Sequence, residues 1–151
     1  MQFKFHHVAL AVVDITKATD SLKPIGFSLV EELPDIIDEV LEVKARYMQP
    51  AYEGPVVEIV QNLSEKGPIA KILERNGPTL YHMCFEVEDL DAACAFLRKE
   101  GYLPISKPKL AKAYNQRRIQ FLYHNSSGLI ELIEANTKEN NKSGDCKKKL
   151  F

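Results

Sequence analysis

The sequence contains an internal repeat, and no other feature restricts its possible folds as strongly. Residues 5–30, FHHVALAVVDITKATDSLKPIGFSLV, align without a gap on residues 80–105, LYHMCFEVEDLDAACAFLRKEGYLPI, at a constant offset of 75 (82 − 7, 101 − 26). The register superposes His7 on His82, Val12 on Val87, Asp14 on Asp89, Ala18 on Ala93, Leu22 on Leu97 and Gly26 on Gly101. Each copy is followed by an apolar segment with one acid inside it, VVEIVQN with Glu58 and GLIELIE with Glu131. Such a duplication means a fold assembled from two copies of one supersecondary unit.

Local patterning gives each copy the same order. Residues 5–12 alternate as a strand and end at Asp14, a natural cap for a helix over about 15–24. Gly26 stops that helix, and a short strand follows at 27–32. Residues 39–48 alternate cleanly, and a further strand covers 56–61. A linker helix at about 68–76 opens with Pro68 and closes with Gly77. The second copy repeats strand 80–87, the Asp89 cap, helix 90–100, Gly101 and strand 102–106, with strands near 117–124 and 128–134. The expected class is therefore α+β: two tandem βαβββ modules, residues 1–62 and 80–135, joined by a linker over 63–79. One module cannot bury both faces of its sheet, so the two roll into a half-barrel cup with helices outside. Residues 136–151 are poor in apolar side chains and read as a disordered polar tail.

Composition narrows the function classes. A net charge of −1 gives no electrostatic case for nucleic acid or an anionic membrane. No apolar run approaches the ~20 residues of a membrane span, and the N-terminus lacks the apolar stretch of a signal peptide. The cysteines Cys84, Cys94 and Cys146 are three in number and unpatterned, which fits a reducing cytoplasm better than a disulfide framework.

The chemistry lies where the repeat places like residues together. His7 and Glu58 are 51 residues apart (58 − 7), and His82 and Glu131 are 49 apart (131 − 82). Two His and two Glu at matched points of two modules suit one hard to borderline divalent ion, Zn, Ni, Co, Mn or Fe. The register selects His7 over His6, which should face outward. Glu134 lies on the opposite strand face from Glu131. Alternation in 40–47 puts apolar Leu41, Val43, Ala45 and Tyr47 toward the helices, leaving Glu42, Lys44 and Arg46 on the ligand side. By the same reasoning Ile119, Phe121 and Tyr123 face the helices, and Arg118, Gln120 and Leu122 face the cup.

The segments HHVALAVVDITKA, VVEIVQN, GPIAKILERNGPTLYHMCFEVEDLDAA and GLIELIEA resemble the vicinal oxygen chelate superfamily, which spans glyoxalases, bleomycin-resistance proteins and dioxygenases. Within it the methylmalonyl-CoA epimerase type is the best match, followed by glyoxalase I. The resemblance covers about residues 5–135. It implies one divalent metal held by His7, Glu58, His82 and Glu131, and commonly a homodimer. Glu42 matches an acid that certain epimerases carry. The implied reaction is epimerisation of a small anionic acyl thioester, possibly an acyl-CoA, through a metal-stabilised enolate, with Glu42 and Glu131 as acid/base groups. Lys44, Arg46 and Arg118 are candidate contacts for the substrate's anionic groups. In place of the Gly-rich loop and His-Pro-Lys turn frequent in epimerases stands KAYNQRRIQFLYHNSSG, which leaves CoA recognition open. Two other functions fit the same pattern: a glyoxalase I-like lactoylglutathione lyase, and a metal-free small-molecule binding protein of the resistance kind.

Overall fold

The structure is a computed structural model and describes residues 1–30 and 34–136. The reading of residues 136–151 as a disordered tail, and Cys146 with it, lies beyond Asn136 and so outside the described residues.

The first half runs β1 (Lys4–Val12), α1 (Ile15–Leu22), a single 3-10 turn, β2 (Phe27–Leu29), β3 (Ile36–Asp38), β4 (Val43–Pro50) and β5 (Val56–Asn62). The linker helix α2 (Ala70–Asn76) follows. The second half runs β6 (Thr79–Val87), α3 (Leu90–Lys99), β7 (Leu103–Pro104), β8 (Lys109–Ala111), a second 3-10 turn, β9 (Arg117–His124) and β10 (Gly128–Glu134). Asp14 accepts hydrogen bonds from the backbone N–H groups of Thr16 and Lys17, and Asp89 accepts one from Ala92. The helices end on Gly26 and Gly101, with φ of 93° and 91°, a region that L side chains avoid.

All ten strands form one mixed sheet, rolled but not closed, in the order β2-β4-β5-β1-β6-β10-β9-β7, with β3 on β4 and β8 on β9. The halves meet at the antiparallel pair β1–β6. On the convex side, α1 packs Ile15, Ala18 and Leu22 over Val12, Met48, Val57 and Ile59. The equivalent helix α3 packs Leu90, Ala93, Cys94 and Leu97 over Leu122, Ile130 and Leu132. Helix α2 instead sits at the concave side, where Ile69 and Ile72 pack against Ala9, Ala11, Val60 and Tyr81. Among the described residues no helix is long and apolar enough to cross a membrane.

Two features differ from the sequence expectation. The strand expected over 39–48 begins only at Val43, because Asp38 accepts hydrogen bonds from the N–H groups of Val40 and Leu41 and turns the chain there. The face assignment of β4 and β9 is the reverse of that expected. Tyr47 pairs with Glu58 and Phe121 with Glu131, so these residues share the concave face, as do Ala45 and Ile119. Lys44, Arg46, Arg118, Gln120 and Leu122 face the helices. The alternation was sound, but the premise that the apolar stripe must lie under helices was not: the cup interior is itself apolar. The cations on that face pair with acids: Lys44 and Arg46 with Asp35, and Arg118 with Asp91 of α3 and Glu134 of β10.

Replacing either helix-stopping glycine tests the repeat as a folding device. Gly26→Ala and Gly101→Ala should each cost about 1–2 kcal/mol in urea unfolding. Gly101→Ala should be the costlier, because its Cβ would stand 3.3 Å from the His124 ring while Gly26 has nothing nearer than 3.8 Å.

Candidate metal centre and cup

The register at the β1–β6 seam determines where the histidines point. His7 lies opposite Cys84 and Ala9 opposite His82, so each imidazole faces a small side chain, and the ring centroids come within 5.6 Å. The ladder slips twice. Phe5 pairs with Phe85 and His7 with Cys84, leaving His6 as an extra residue in β1; Ala9 pairs with His82 and Leu10 with Leu80, leaving Tyr81 as an extra residue in β6. Such bulges re-aim side chains. His6 and Tyr81 are themselves related by the 75-residue offset, so the bulge is part of the repeat. Strand β5 runs parallel to β1 with Glu58 beside Ala9, and β10 runs parallel to β6 with Glu131 beside Cys84.

These registers bring His7, Glu58, His82 and Glu131 together, with one candidate ligand atom from each lying within 4.8 Å of the others. His7 Nε2 is 3.1 Å from Glu58 Oε2 and 3.7 Å from Glu131 Oε2; His82 Nε2 is 3.5 Å from Glu131 Oε2. All four residues are buried. Tyr47 donates to Glu58 Oε1 at 2.6 Å, and the Tyr114 hydroxyl is 3.2 Å from that oxygen and 3.4 Å from Glu131 Oε2. Burial raises the pKa of both phenols, and the neighbouring carboxylates push it higher, so both are neutral donors near pH 7. Burial also opposes ionisation of Glu58, but His7, His82 and the Tyr47 hydroxyl outweigh it and hold this carboxyl below the ordinary range.

The donor set fits a divalent cation. Two carboxylates and two imidazoles, all buried and within reach of one point, are the oxygen and nitrogen donors that such an ion takes. Neither ring nitrogen of His82 makes a hydrogen bond, although both are buried. Buried polar atoms without partners are rare in a folded chain. A divalent ion among the four residues would take the unpartnered Nε2 of His82 together with the carboxylate oxygens.

Above the cluster lies a cavity of about 290 Å³. Its walls are mostly apolar, among them Val43, Val60, Ile69, Ile72, Phe121 and Leu129, and among the described residues Lys109 is the one lysine or arginine lining it. The sequence candidates outside the ligand set stand elsewhere. Glu42 is exposed in the 39–42 turn at φ 56°, outside the residues lining the cup. Lys44 and Arg46 both pair with Asp35, Lys44 at 2.9 Å, and Arg46 also donates to Thr19 of α1 at 2.8 Å. Arg118 pairs with Asp91 and Glu134 on the α3 side. His6 is buried against His7, not outward, because the bulge turns it inward. Sequence reasoning missed Tyr47 and Tyr114. The only available signal was a tyrosine in each of the two stretches, 40–47 and 107–118, that flank the acids.

A family model described as the glyoxalase/bleomycin resistance protein/dioxygenase superfamily matches residues 6–123. The mitochondrial methylmalonyl-CoA epimerase of Homo sapiens is 30% identical over 135 residues, covering 87% of this chain and 74% of that protein. The Mus musculus counterpart is 26% identical over the same length, covering 87% and 73%. Among solved structures, a methylmalonyl-CoA epimerase from Mycobacterium tuberculosis superposes with a TM-score of 0.75 at 26% identity, covering 89% of each chain.

Two measurements follow from this geometry. Adding Co(II) or Zn(II) to metal-free protein, at free concentrations about 100 times Kd, should stabilise it by about 2.7 kcal/mol. That gain should vanish in His7→Ala and Glu131→Ala. Asp35 is held down to about 2, first by its hydrogen bond from Arg46. A depressed carboxyl stabilises the fold above its unfolded pKa and loses that effect as pH falls through the folded one. Unfolding midpoints should therefore drop between about pH 4 and pH 2, and Asp35→Asn should flatten this segment of the profile.

Proposed function

This chain belongs to the glyoxalase/bleomycin resistance protein/dioxygenase superfamily, and on that footing we propose that it is a divalent-metal-dependent epimerase or isomerase of a small acyl-CoA thioester. The observation that carries this reading is the convergence of His7, Glu58, His82 and Glu131 beside an apolar cup of about 290 Å³. Relatives support it. Besides the epimerases already described, a Streptomyces coelicolor methylmalonyl-CoA epimerase with the same fold was solved in complex with 2-nitronate-propionyl-CoA.

His7, Glu58, His82 and Glu131 are the residues that would hold the ion, which could be Zn, Ni, Co, Mn or Fe. When bound there it supplies a Lewis acid for substrate oxygens. The chain's own residues do the rest. Epimerisation needs a proton acceptor and a proton donor around a planar carbon. The Glu131 carboxylate, which lines the cup, is the acceptor. With Glu42 outside, the Tyr114 hydroxyl, neutral and directed into the cluster, is the donor. The apolar walls exclude water from the reacting carbon and take its alkyl branch. Lys109 at the mouth, with Lys107 and Lys112 on the same loop, receives the anionic remainder of the thioester. Lys44, Arg46 and Arg118, all ion-paired on the helix face, have no part in it. A homodimer, from the family resemblance alone, belongs to the same proposal. So does a reducing, cytoplasmic setting, supported by the buried free thiols of Cys84 and Cys94.

Proton–deuterium exchange at C2 of methylmalonyl-CoA in D₂O is the direct measurement. Metal-loaded protein should exchange that proton, and Tyr114→Phe should slow exchange on the order of 10²-fold with metal retained. If Glu42→Gln abolishes exchange and Tyr114→Phe does not, the donor role returns to Glu42. Lactoylglutathione formation from methylglyoxal and glutathione without C2 exchange would make the chain a glyoxalase I-like lyase. Metal-free protein with neither activity would make it a binding protein.

A further inference from the structure

The two candidate imidazole ligands are placed alike but supported differently. His7 Nδ1 lies 2.8 Å from His6 Nδ1, with the rings edge-on at 5.1 Å and 78°. At the repeat-related position, Tyr81 stands edge-on to His82 at 4.5 Å and 81°, yet His82 Nδ1 has no hydrogen-bond partner. Both neighbours are the extra residues of the two bulges. One bulge therefore presents a hydrogen-bonding ring to its ligand, and the other presents only the edge or face of a phenol.

We propose that His6 is a positioning residue that fixes the tautomer and ring orientation of His7 for metal binding. The inference rests on the metal-centre reading above. His7 Nε2 faces Glu58 and Glu131, so it is the nitrogen whose lone pair meets the ion. The imidazole proton then resides on Nδ1 and is donated to the acceptor lone pair of His6 Nδ1. Both rings are buried, at 0% and 6% exposure, so water does not compete for this bond. A ligating histidine is typically oriented by an acceptor on its other nitrogen, and losing that acceptor typically costs 10–100-fold in metal affinity. A neutral imidazole filling this role differs from the carboxylate or carbonyl most sites use. It adds no further negative charge beside two buried carboxylates.

The test uses metal-free full-length protein titrated with Zn(II) against a chromophoric chelator. His6→Phe keeps an aromatic ring without an acceptor and should weaken binding 10–100-fold. His6→Asn places an amide oxygen close to where Nδ1 stands and should restore most of that loss. Tyr81→Phe should leave the affinity unchanged. Equal affinity for wild type and His6→Phe, or no rescue by Asn, overturns the proposal. No variant is needed for the second readout, long-range ¹H–¹⁵N spectra of the zinc-loaded wild type. They should show His7 protonated at Nδ1 with a scalar coupling across the bond to His6, and an unprotonated His7 Nδ1 overturns the assignment. Wild type that takes up no divalent ion would instead remove the metal-centre reading on which this one stands.

Discussion

The antiparallel pairing of β1 with β6 is the interaction from which the rest of the site follows. It joins the two halves, and its register sets His7 against Cys84 and His82 against Ala9. A reciprocal pair of this kind is what a two-fold relation between strands requires, and it works here because each histidine faces a small partner. A larger residue at Ala9 or Cys84 would fill the space in which the four donor atoms meet. The parallel neighbours β5 and β10 then have no choice of face. Glu58 beside Ala9 and Glu131 beside Cys84 must point to the same side as the histidines. A one-residue slip at the seam would put the His and Glu of one half on the opposite face from those of the other.

That constraint explains the apolar cup. The concave face must accept four ionisable side chains and keep them from water, so its walls are Val, Ile, Leu and aromatic residues. Dry walls strengthen every charge interaction inside, including the Tyr47 hydrogen bond to Glu58 and any bond to a cation. The cationic side chains of β4 and β9 are excluded for the same reason. Next to Glu58 and Glu131 they would neutralise the donor set and close the site; on the other face they tie the sheet to Asp35, Asp91 and Glu134.

Much of this was legible in the sequence, and the failures have identifiable causes. The 75-residue offset carried the helix caps, the helix-stopping glycines, the two-module sheet and the four residues that converge. Their convergence was legible because a repeated residue at a repeated strand position needs no knowledge of the third dimension. What failed needed that dimension. Period-2 alternation divides a strand into two faces but does not say which is concave, so Lys44, Arg46 and Arg118 were placed inside when they lie outside. A bulge is invisible to alternation altogether, and so His6 was expected to point outward. Glu42 was placed by alternation in a strand that begins only at Val43, after a turn held by Asp38. Tyr114 comes from a short 3-10 turn whose backbone is returned to the cup by the bond from the Lys112 N–H to Asp38, a contact 74 residues away in sequence.

The repeat is most informative where it is broken. In the first half both candidate ligands are held from behind: His7 by His6, and Glu58 by Tyr47 at 2.6 Å. In the second half the corresponding supports are missing or weaker. His82 has no hydrogen-bond partner, and the strand neighbour paired with Glu131 is Phe121, where Glu58 has Tyr47. Glu131 has a 3.4 Å contact from Tyr114, a bond from the Cys84 thiol, a weak donor, and the His82 and His7 Nε2 atoms at 3.5 and 3.7 Å. A carboxylate held by a short phenol bond is restrained in position and depleted in basicity. The first half thus backs both of its donor residues with hydrogen bonds, and the second leaves His82 without one. The two halves share a register and differ in what stands behind the donors: His6 and Tyr47 in the first, Tyr81 and Phe121 in the second.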